Sequence, residues 1–153
     1  MLKRILNVLC IIFFLQSISL FASKISHPIN LNSPLGQWIT LDRKSQKPTG
    51  IVEIFEHKGS LYGKIIDGFG VDQIQYCTNC TGNLKNKPVI GMTFLSGFFP
   101  DGQNQWTQGQ ILNPHDGKVY RGSISLADNG KTLHLRGYWG VFYRTETWIR
   151  STK

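Results

Sequence analysis

Residues 118–139 read KVYRGSISLADNGKTLHLRGYW and contain two short runs in which apolar and polar side chains alternate. Ile124 and Leu126 carry the apolar side of the first run, and Leu133 and Leu135 carry that of the second. Side chains of a β-strand alternate between its two faces, so a period of two predicts a pair of half-buried strands. The Asp-Asn-Gly sequence between the runs is typical of a tight turn. This stretch therefore predicts an antiparallel β-hairpin.

The rest of the chain after the first 35 residues breaks into similar short runs, and none of them shows helical periodicity. These runs are GQWITLD (36–42), GIVEIFEHKG (50–59), SLYGKIIDG (60–68), PVIGMTFLSGF (88–98), QWTQGQIL (105–112) and FYRTETWIR (142–150). Together with the hairpin they predict an all-β protein, a single antiparallel up-and-down β-barrel of about eight strands. A β-sandwich is the alternative. Interior glycines, which allow bulges and tight bends in barrel walls, suit the barrel: Gly63, Gly109, Gly122 and Gly137.

The N-terminus has the layout of a secretory signal peptide. Lys3 and Arg4 precede an apolar run over residues 8–21, and small residues follow it. We predict a signal over residues 1–22, with a retained membrane anchor as the alternative, an N-terminal extension over 23–35 and the barrel over 36–150. The expected location is periplasmic or secreted. Loss of the two cations lowers the formal net charge from +8 to +6.

The cysteine pair in QYCTNC allows three interpretations. Cys10 leaves with the signal, so Cys77 and Cys80 are the two that remain. A zinc site needs further ligands, and the histidines are scattered; a redox pair needs a helix N-terminus that nothing here predicts. In an oxidising compartment a local disulfide is favoured, and it would shape the long irregular stretch over residues 68–89. We expect no metal site.

A tryptophan near the first strand and an arginine near the last predict how the barrel closes. Trp38 lies in Gly-Gln-Trp, and Arg150 ends Trp-Ile-Arg. The first and last strands of a closed barrel are neighbours, so the guanidinium can lie across the indole as a cation–π contact of about 0.5–2 kcal/mol. The arrangement resembles that of lipocalins.

The motifs as a set resemble DUF2147, a family of small secreted bacterial proteins of uncharacterised function. The matching motifs run in order along nearly the whole mature chain: Gly36-x-Trp38, residues 61–65, Cys77 with Cys80, Pro88-x-Ile90-Gly91, residues 106–114, Gly117-Lys118-x-Tyr120, residues 133–138 and Thr147-Trp148-x-Arg150. One departure is Phe142-Tyr143-Arg144-Thr145, where the family tends to have Gly-Arg-Thr. The resemblance implies a lipocalin-like barrel outside the cytoplasm and assigns no catalytic residues.

The leading functional hypothesis is that the barrel binds a small, partly apolar or amphipathic ligand. Arg136 would orient the ligand as a hydrogen-bonding fork. Cross-strand packing of the same residues is the alternative. The candidate contacts are Trp106, Tyr120, Arg136, Tyr138 and Trp139.

The second hypothesis is a fully packed barrel that acts as a protein-interaction or envelope-structural module through loop 68–89, with an envelope protein as partner. An enzyme with His115 and Asp116 as an acid–base pair is less favoured, because Asp-Gly is also what a turn requires. No cofactor is expected. The basic group Arg43, Lys44 and Lys47 is interpreted as a solvated loop rather than a nucleic-acid or anionic-lipid patch, so we expect no nucleic-acid partner, and no membrane span after signal cleavage.

Overall fold

Eight antiparallel strands form a closed barrel in the computed structural model, which describes residues 32–69 and 74–152. The predicted signal and most of the N-terminal extension lie outside the described residues. Two short 3₁₀ turns, Gly82–Leu84 and Asp128–Gly130, are the helical segments of the described part. The strands are β1 (Gly36–Leu41), β2 (Pro48–His57), β3 (Ser60–Gly68), β4 (Thr93–Pro100), β5 (Gln105–Asn113), β6 (Lys118–Ala127), β7 (Thr132–Trp139) and β8 (Phe142–Arg150).

Each strand pairs with the next along the chain, and β8 pairs with β1. The hairpin predicted from residues 118–139 is confirmed, since Ile124 lies opposite Leu135 and Leu126 opposite Leu133. The up-and-down barrel is therefore confirmed, and the sandwich alternative is wrong.

The predicted strand over residues 88–98 begins later than expected, at Thr93. Pro88 has no amide hydrogen to donate to a sheet and makes an isolated bridge with Tyr76 instead. Val89 and Met92 are buried against the cysteine pair rather than in the barrel. The apolar character of this segment reflects a second, smaller cluster beside the main core, which periodicity alone does not reveal.

The barrel interior is filled by one continuous cluster of apolar side chains. Trp38, Phe98 and Trp148 are its largest fully buried members. Burial of a large apolar side chain contributes about 1.5–3 kcal/mol, so this cluster is the main source of stability. Its buried members are Trp38, Val52, Ile54, Leu61, Leu95, Phe98, Ile124, Leu126, Leu133, Leu135 and Trp148.

Glycines in the barrel wall make room for large side chains from other strands. The ring of Phe98 lies directly over Gly109, where a β-carbon would overlap it. Ile111 packs in the same way over Gly122, at 2.7 Å from the position of a β-carbon. Gly109 and Gly122 thus make room for large side chains of the core.

The two ends of the barrel differ. We name the end with the β2–β3, β4–β5 and β6–β7 turns the closed end, because the fully buried side chains Trp38, Phe98 and Leu133 lie in the half of the barrel next to it. We name the other the open end. It carries the β1–β2, β5–β6 and β7–β8 turns and the long connection between β3 and β4.

Gly109→Ala is expected to lower the free energy of unfolding by about 1–3 kcal/mol, since the new methyl group overpacks the Phe98 ring. Urea denaturation followed by tryptophan fluorescence measures the change. Gly137→Ala is the matched control, because its β-carbon would lie at an ordinary 3.5 Å from Ile111 Cδ1, and it should change stability by less than about 1 kcal/mol. Equal effects of the two substitutions would contradict the packing role of Gly109.

Candidate functional site: the open end of the barrel

The contact predicted to close the barrel is present in the structure. The Arg150 guanidinium lies 4.2 Å from the centroid of the Trp38 ring. Its Nε donates to the Gly130 carbonyl at 2.7 Å, and its two terminal nitrogens donate to the carbonyls of Leu35 (3.1 Å) and Ser33 (2.6 Å). Burial lowers the pKa of this guanidinium from its usual value. One side chain thus joins the first strand, the last strand and the β6–β7 turn.

Arg150→Lys is expected to lower the free energy of unfolding by about 1.5–3 kcal/mol, because a lysine keeps the charge but not the planar fork that reaches three carbonyls. Thermal or urea denaturation measures the loss. Arg121→Lys, at an exposed arginine on β6, is the control and should have little effect. If Arg150→Lys were as mild as the control, the seam between β1 and β8 would not depend on the guanidinium.

The predicted local disulfide between Cys77 and Cys80 is confirmed, with Cα atoms 5.3 Å apart. Both residues are buried, together with Val89 and Met92. The Cys77 amide donates to the Lys87 carbonyl at 2.9 Å, so the disulfide sits inside a hydrogen-bonded loop. No group of three or more histidine, cysteine or acidic side chains is placed to hold a metal among the described residues.

The disulfide loop rests on the β5–β6 turn at the open end. The Cys77 sulfur lies 3.4 Å from the Pro114 carbonyl oxygen, and the Asn79 side-chain amide donates to the His115 carbonyl at 2.6 Å. Gly117 faces the Asn79 carbonyl so closely that a β-carbon there would overlap it. The loop and the turn therefore form one fixed wall of the open end.

The Asp116 carboxylate stabilises the β5–β6 turn, and it forms no hydrogen bond with His115 in the described structure. Its carboxylate accepts the Lys118 amide at 2.9 Å and the Tyr120 hydroxyl at 2.6 Å. Desolvation raises the pKa of this carboxyl, but the hydrogen bonds from Tyr120 and Lys118 outweigh it and hold the pKa below 3.8. The same hydrogen bond raises the pKa of the Tyr120 hydroxyl above 10.0. This arrangement favours the turn interpretation over the acid–base pair.

Tyr120→Phe is expected to raise the pKa of Asp116, because the substitution removes the hydroxyl donor that stabilises the carboxylate. NMR titration of the carboxyl carbon measures it. A lowered pKa stabilises the fold at pH values above about 3.8 and this contribution is lost as the pH falls through the folded-state value. The variant should therefore lose less stability than the wild type on acidification. Tyr138→Phe, which loses a hydroxyl paired with Ser123 instead, should leave the Asp116 titration unchanged.

The inward-facing positions near the open end are only partly buried, in contrast to those of the closed end. Because side chains alternate between the two faces of a strand, every second residue beyond Leu135 and Trp148 toward the open end also faces inward. These positions hold a mixture of apolar and polar side chains, and we name this group the mouth: Phe94, Ile111, Tyr120, Arg144 and Glu146.

Two charged side chains of β8 lie in the mouth, beside the seam between β1 and β8. Arg144 Nη2 and Glu146 Oε1 form an ion pair at 3.9 Å, and both side chains are well exposed. β1 pairs with β8 at three positions, Trp38 to Thr40 against residues 148–150, whereas β7 pairs with β8 along its whole length. The mouth therefore has a lateral extension where β1 stops and β8 continues.

Deeper in the barrel than the mouth, opposite Leu133, lies a buried donor without an acceptor among the described residues. The Trp148 indole Nε1–H has no hydrogen-bond partner among the described residues, and the side chain is 1% exposed. Its ring lies 6.3 Å from that of Phe94. A buried N–H without an acceptor lowers stability by about 1–3 kcal/mol. A ligand that brings an acceptor to this N–H recovers part of that free energy.

A separate recess of about 240 Å³ lies between the disulfide loop and the barrel wall. Thr81 and Leu84 line it from the loop, and Ser96, Gln110 and Val119 line it from β4, β5 and β6. Ser96 and Gln110 form a register pair next to the inward pair of Leu95 and Ile111, so these two side chains face outward, while Phe94 lines both the recess and the mouth.

The five residues predicted to contact a ligand do not meet in one site. Trp106 is opposite Ile124 and packs on the core near the closed end. Tyr120 and Trp139 lie on the inward face near the open end, while Arg136 and Tyr138 alternate with inward residues and lie on the outer face.

The outer-face residues are engaged in cross-strand packing, which was the alternative interpretation. The Arg136 guanidinium stacks 4.5 Å from the Tyr143 ring centroid and donates to Thr145 Oγ1 at 3.1 Å. Tyr138 shares a 3.2 Å hydrogen bond with Ser123. Sequence reasoning missed the mouth residues Arg144 and Glu146, which counting back in steps of two from Trp148 would have placed on the inward face.

The fold and the mouth define a class: a closed eight-stranded lipocalin-like barrel with a packed closed end and a partly open one. The chain belongs to the family described as "Uncharacterized protein conserved in bacteria (DUF2147)", whose sequence profile matches residues 36–150. No curated protein matches the sequence. In the part of the chain that is described, no helix has the length and apolar character needed to cross a bilayer.

A solved structure resembles the barrel closely. It is HP1028 from the human pathogen Helicobacter pylori, which is described as belonging to the lipocalin family. The two chains share 27% identity with a TM-score of 0.67, and the match covers 78% of this chain and 84% of HP1028. The lipocalin-like architecture predicted from the sequence is thereby confirmed.

Proposed function

We propose that this protein binds a small amphipathic ligand in the mouth of the barrel. The observation that carries the proposal is the change along the barrel axis, from a fully buried apolar core to inward positions that remain partly exposed above an unpaired buried donor, Trp148. Eight-stranded barrels are wide enough to be filled by side chains or to hold one small ligand. Here the closed end is filled, which leaves the open end for a ligand.

The chemistry of the mouth supports a ligand with an apolar part and a polar group. Phe94 and Ile111 offer apolar surface at the floor. Arg144, Glu146 and Tyr120 offer polar groups nearer the rim. Ligand sites typically combine mostly apolar walls with a few placed polar groups that fix orientation. A ligand acceptor that reaches the Trp148 N–H would make a hydrogen bond that no described residue makes.

We also propose that the protein works in the periplasm or after secretion. The signal-like N-terminus supports this location, and so does the Cys77–Cys80 disulfide, because disulfides persist in oxidising compartments.

A second candidate function is a protein-interaction module that uses the disulfide loop. The filled closed half of the barrel favours it, and so does the exposure of apolar side chains on a loop that is held rigidly in place. These side chains are Tyr76, Leu84 and Ile90.

The test is titration with a fluorescent amphiphile, dansylaminoundecanoic acid, which has an apolar chain and a carboxylate. Trp148→Phe keeps an aromatic side chain but replaces the indole by a smaller phenyl ring without an N–H, and it should weaken binding about 2- to 10-fold, as expected for one hydrogen bond. Trp106→Phe is the matched control, an inward tryptophan packed on the core near the closed end, and it should leave the affinity unchanged.

Native mass spectrometry of protein purified from a secreting host, without denaturation, provides an independent check. An excess mass that is lost on denaturation supports the carrier and gives the size of the ligand. Absence of amphiphile binding together with a bare mass would overturn the proposal in favour of the packed interaction module. Equal effects of the two tryptophan substitutions would place the amphiphile outside the mouth.

A further inference from the structure

The tip of the β7–β8 hairpin carries a contiguous group of exposed apolar side chains. Residues 139–143 read WGVFY, and we name them the hairpin tip. The exposed fractions are 58% for Trp139, 89% for Val141, 60% for Phe142 and 61% for Tyr143. The Trp139 and Phe142 rings lie 5.4 Å apart, so they present one apolar surface.

Turn geometry does not explain this composition. Gly140 has a φ of +58°, which accounts for the glycine. It does not account for the four apolar side chains around it. The hairpin turns at the closed end are built from polar residues and glycine: Lys58-Gly59, Asp101-Gly102-Gln103-Asn104 and Asp128-Asn129-Gly130-Lys131. Exposed apolar patches of this kind mark contact with a partner or a membrane.

The hairpin tip projects beyond the edge of its neighbour. Pairing of β1 with β8 ends at Thr40 opposite Trp148, six residues before β8 reaches the tip at Phe142. The tip is therefore joined to the barrel through β7 and is free on its β1 side within the described residues. A projecting hairpin can insert into a lipid layer while the barrel walls stay in place.

The charges of the open end indicate an anionic partner. The β1–β2 turn brings Arg43, Lys44 and Lys47 to the same end as the hairpin tip, a proximity that the sequence alone does not reveal. Asp42 in that turn is occupied by the Ser45 amide and hydroxyl, each at 2.7 Å. Basic residues outnumber acidic ones at this end of the described structure. The basic residues are Arg43, Lys44, Lys47, Lys85, Lys87, Lys118, Arg121 and Arg144, and the acidic ones are Asp42, Asp67, Asp116 and Glu146.

We propose that the hairpin tip inserts into the headgroup region of an anionic phospholipid membrane, with the basic residues of the open end facing the lipid surface. Tryptophan and tyrosine are the residues that favour the interface between headgroups and hydrocarbon. Each nearby lysine or arginine adds to the attraction toward an anionic surface. Docking in this orientation turns the mouth toward the bilayer, but it does not require that the mouth bind a ligand.

Vesicle co-sedimentation tests the proposal, with protein purified after expression of the whole chain. Vesicles are either pure phosphatidylcholine or contain about a third phosphatidylglycerol. The wild type should bind the anionic vesicles and bind the neutral ones at least about tenfold more weakly. Val141→Asp, at the most exposed position of the tip, should lower binding to anionic vesicles by at least tenfold. The double change Arg43→Gln, Lys44→Gln should also lower this binding, but by a smaller factor.

Phe99→Asp is the matched control. Phe99 is an exposed aromatic residue near the closed end, far along the barrel from the tip. The control should bind anionic vesicles like the wild type, and circular dichroism verifies that each variant is folded. Val141→Asp should leave amphiphile binding in the mouth intact, so failure of membrane docking and failure of ligand binding are separate results.

Three outcomes would overturn the proposal. Val141→Asp could bind anionic vesicles as the wild type does, which would place any lipid contact elsewhere. The wild type could fail to bind anionic vesicles altogether. Sedimentation velocity could instead show a concentration-dependent dimer that Val141→Asp abolishes without any vesicle binding, which would make the hairpin tip a self-association surface.

Discussion

The contact between Arg150 and Trp38 is the interaction on which the rest of the barrel depends. An up-and-down sheet becomes a barrel only when its first and last strands meet, and here they share three residue pairs. The guanidinium compensates for this short seam, because it covers the indole and donates to three carbonyls from two separate segments. Since β1 is short, closure is strong at one end and incomplete at the other. The difference between the two ends begins at this seam.

The packing follows from that asymmetry. Near the closed end, large rings such as Phe98 rest on glycines of neighbouring strands such as Gly109, so side chains of the core fill the interior there. Toward the open end the inward side chains become polar or partly exposed, and Arg144 and Glu146 stand where core residues would otherwise lie. The disulfide loop braces one side of this end by its contacts with the β5–β6 turn. These contacts fix the position of the loop on the turn.

The two proposals, ligand binding and membrane docking, place their sites at the same end of the barrel for different physical reasons. A ligand would be held by the inward face, where Trp148 offers a buried donor over apolar surface. A membrane would be held by the rim, where the hairpin tip exposes Val141 and its aromatic neighbours beside basic turns. The two proposals share the charged residues Arg144 and Glu146 but are tested by substitutions at different positions, Trp148 and Val141. If both hold, the barrel would receive its ligand at the bilayer surface.

The barrel was predictable from the sequence, because alternation, turn residues and interior glycines are local signals, and a local disulfide was the favoured interpretation of Cys77 and Cys80, because they lie three residues apart. The sequence also paired Trp38 with Arg150, since closure makes the chain ends neighbours. The sequence did not reveal which side chains share the candidate ligand site. Arg136 and Tyr138 lie on the outer face of β7, whereas Trp139 lies on its inward face and closer to the open end. The face that each residue occupies is set by register and bulges across several strands, and the grouping of hairpin tip, basic turn and mouth at one end exists only once the barrel has closed.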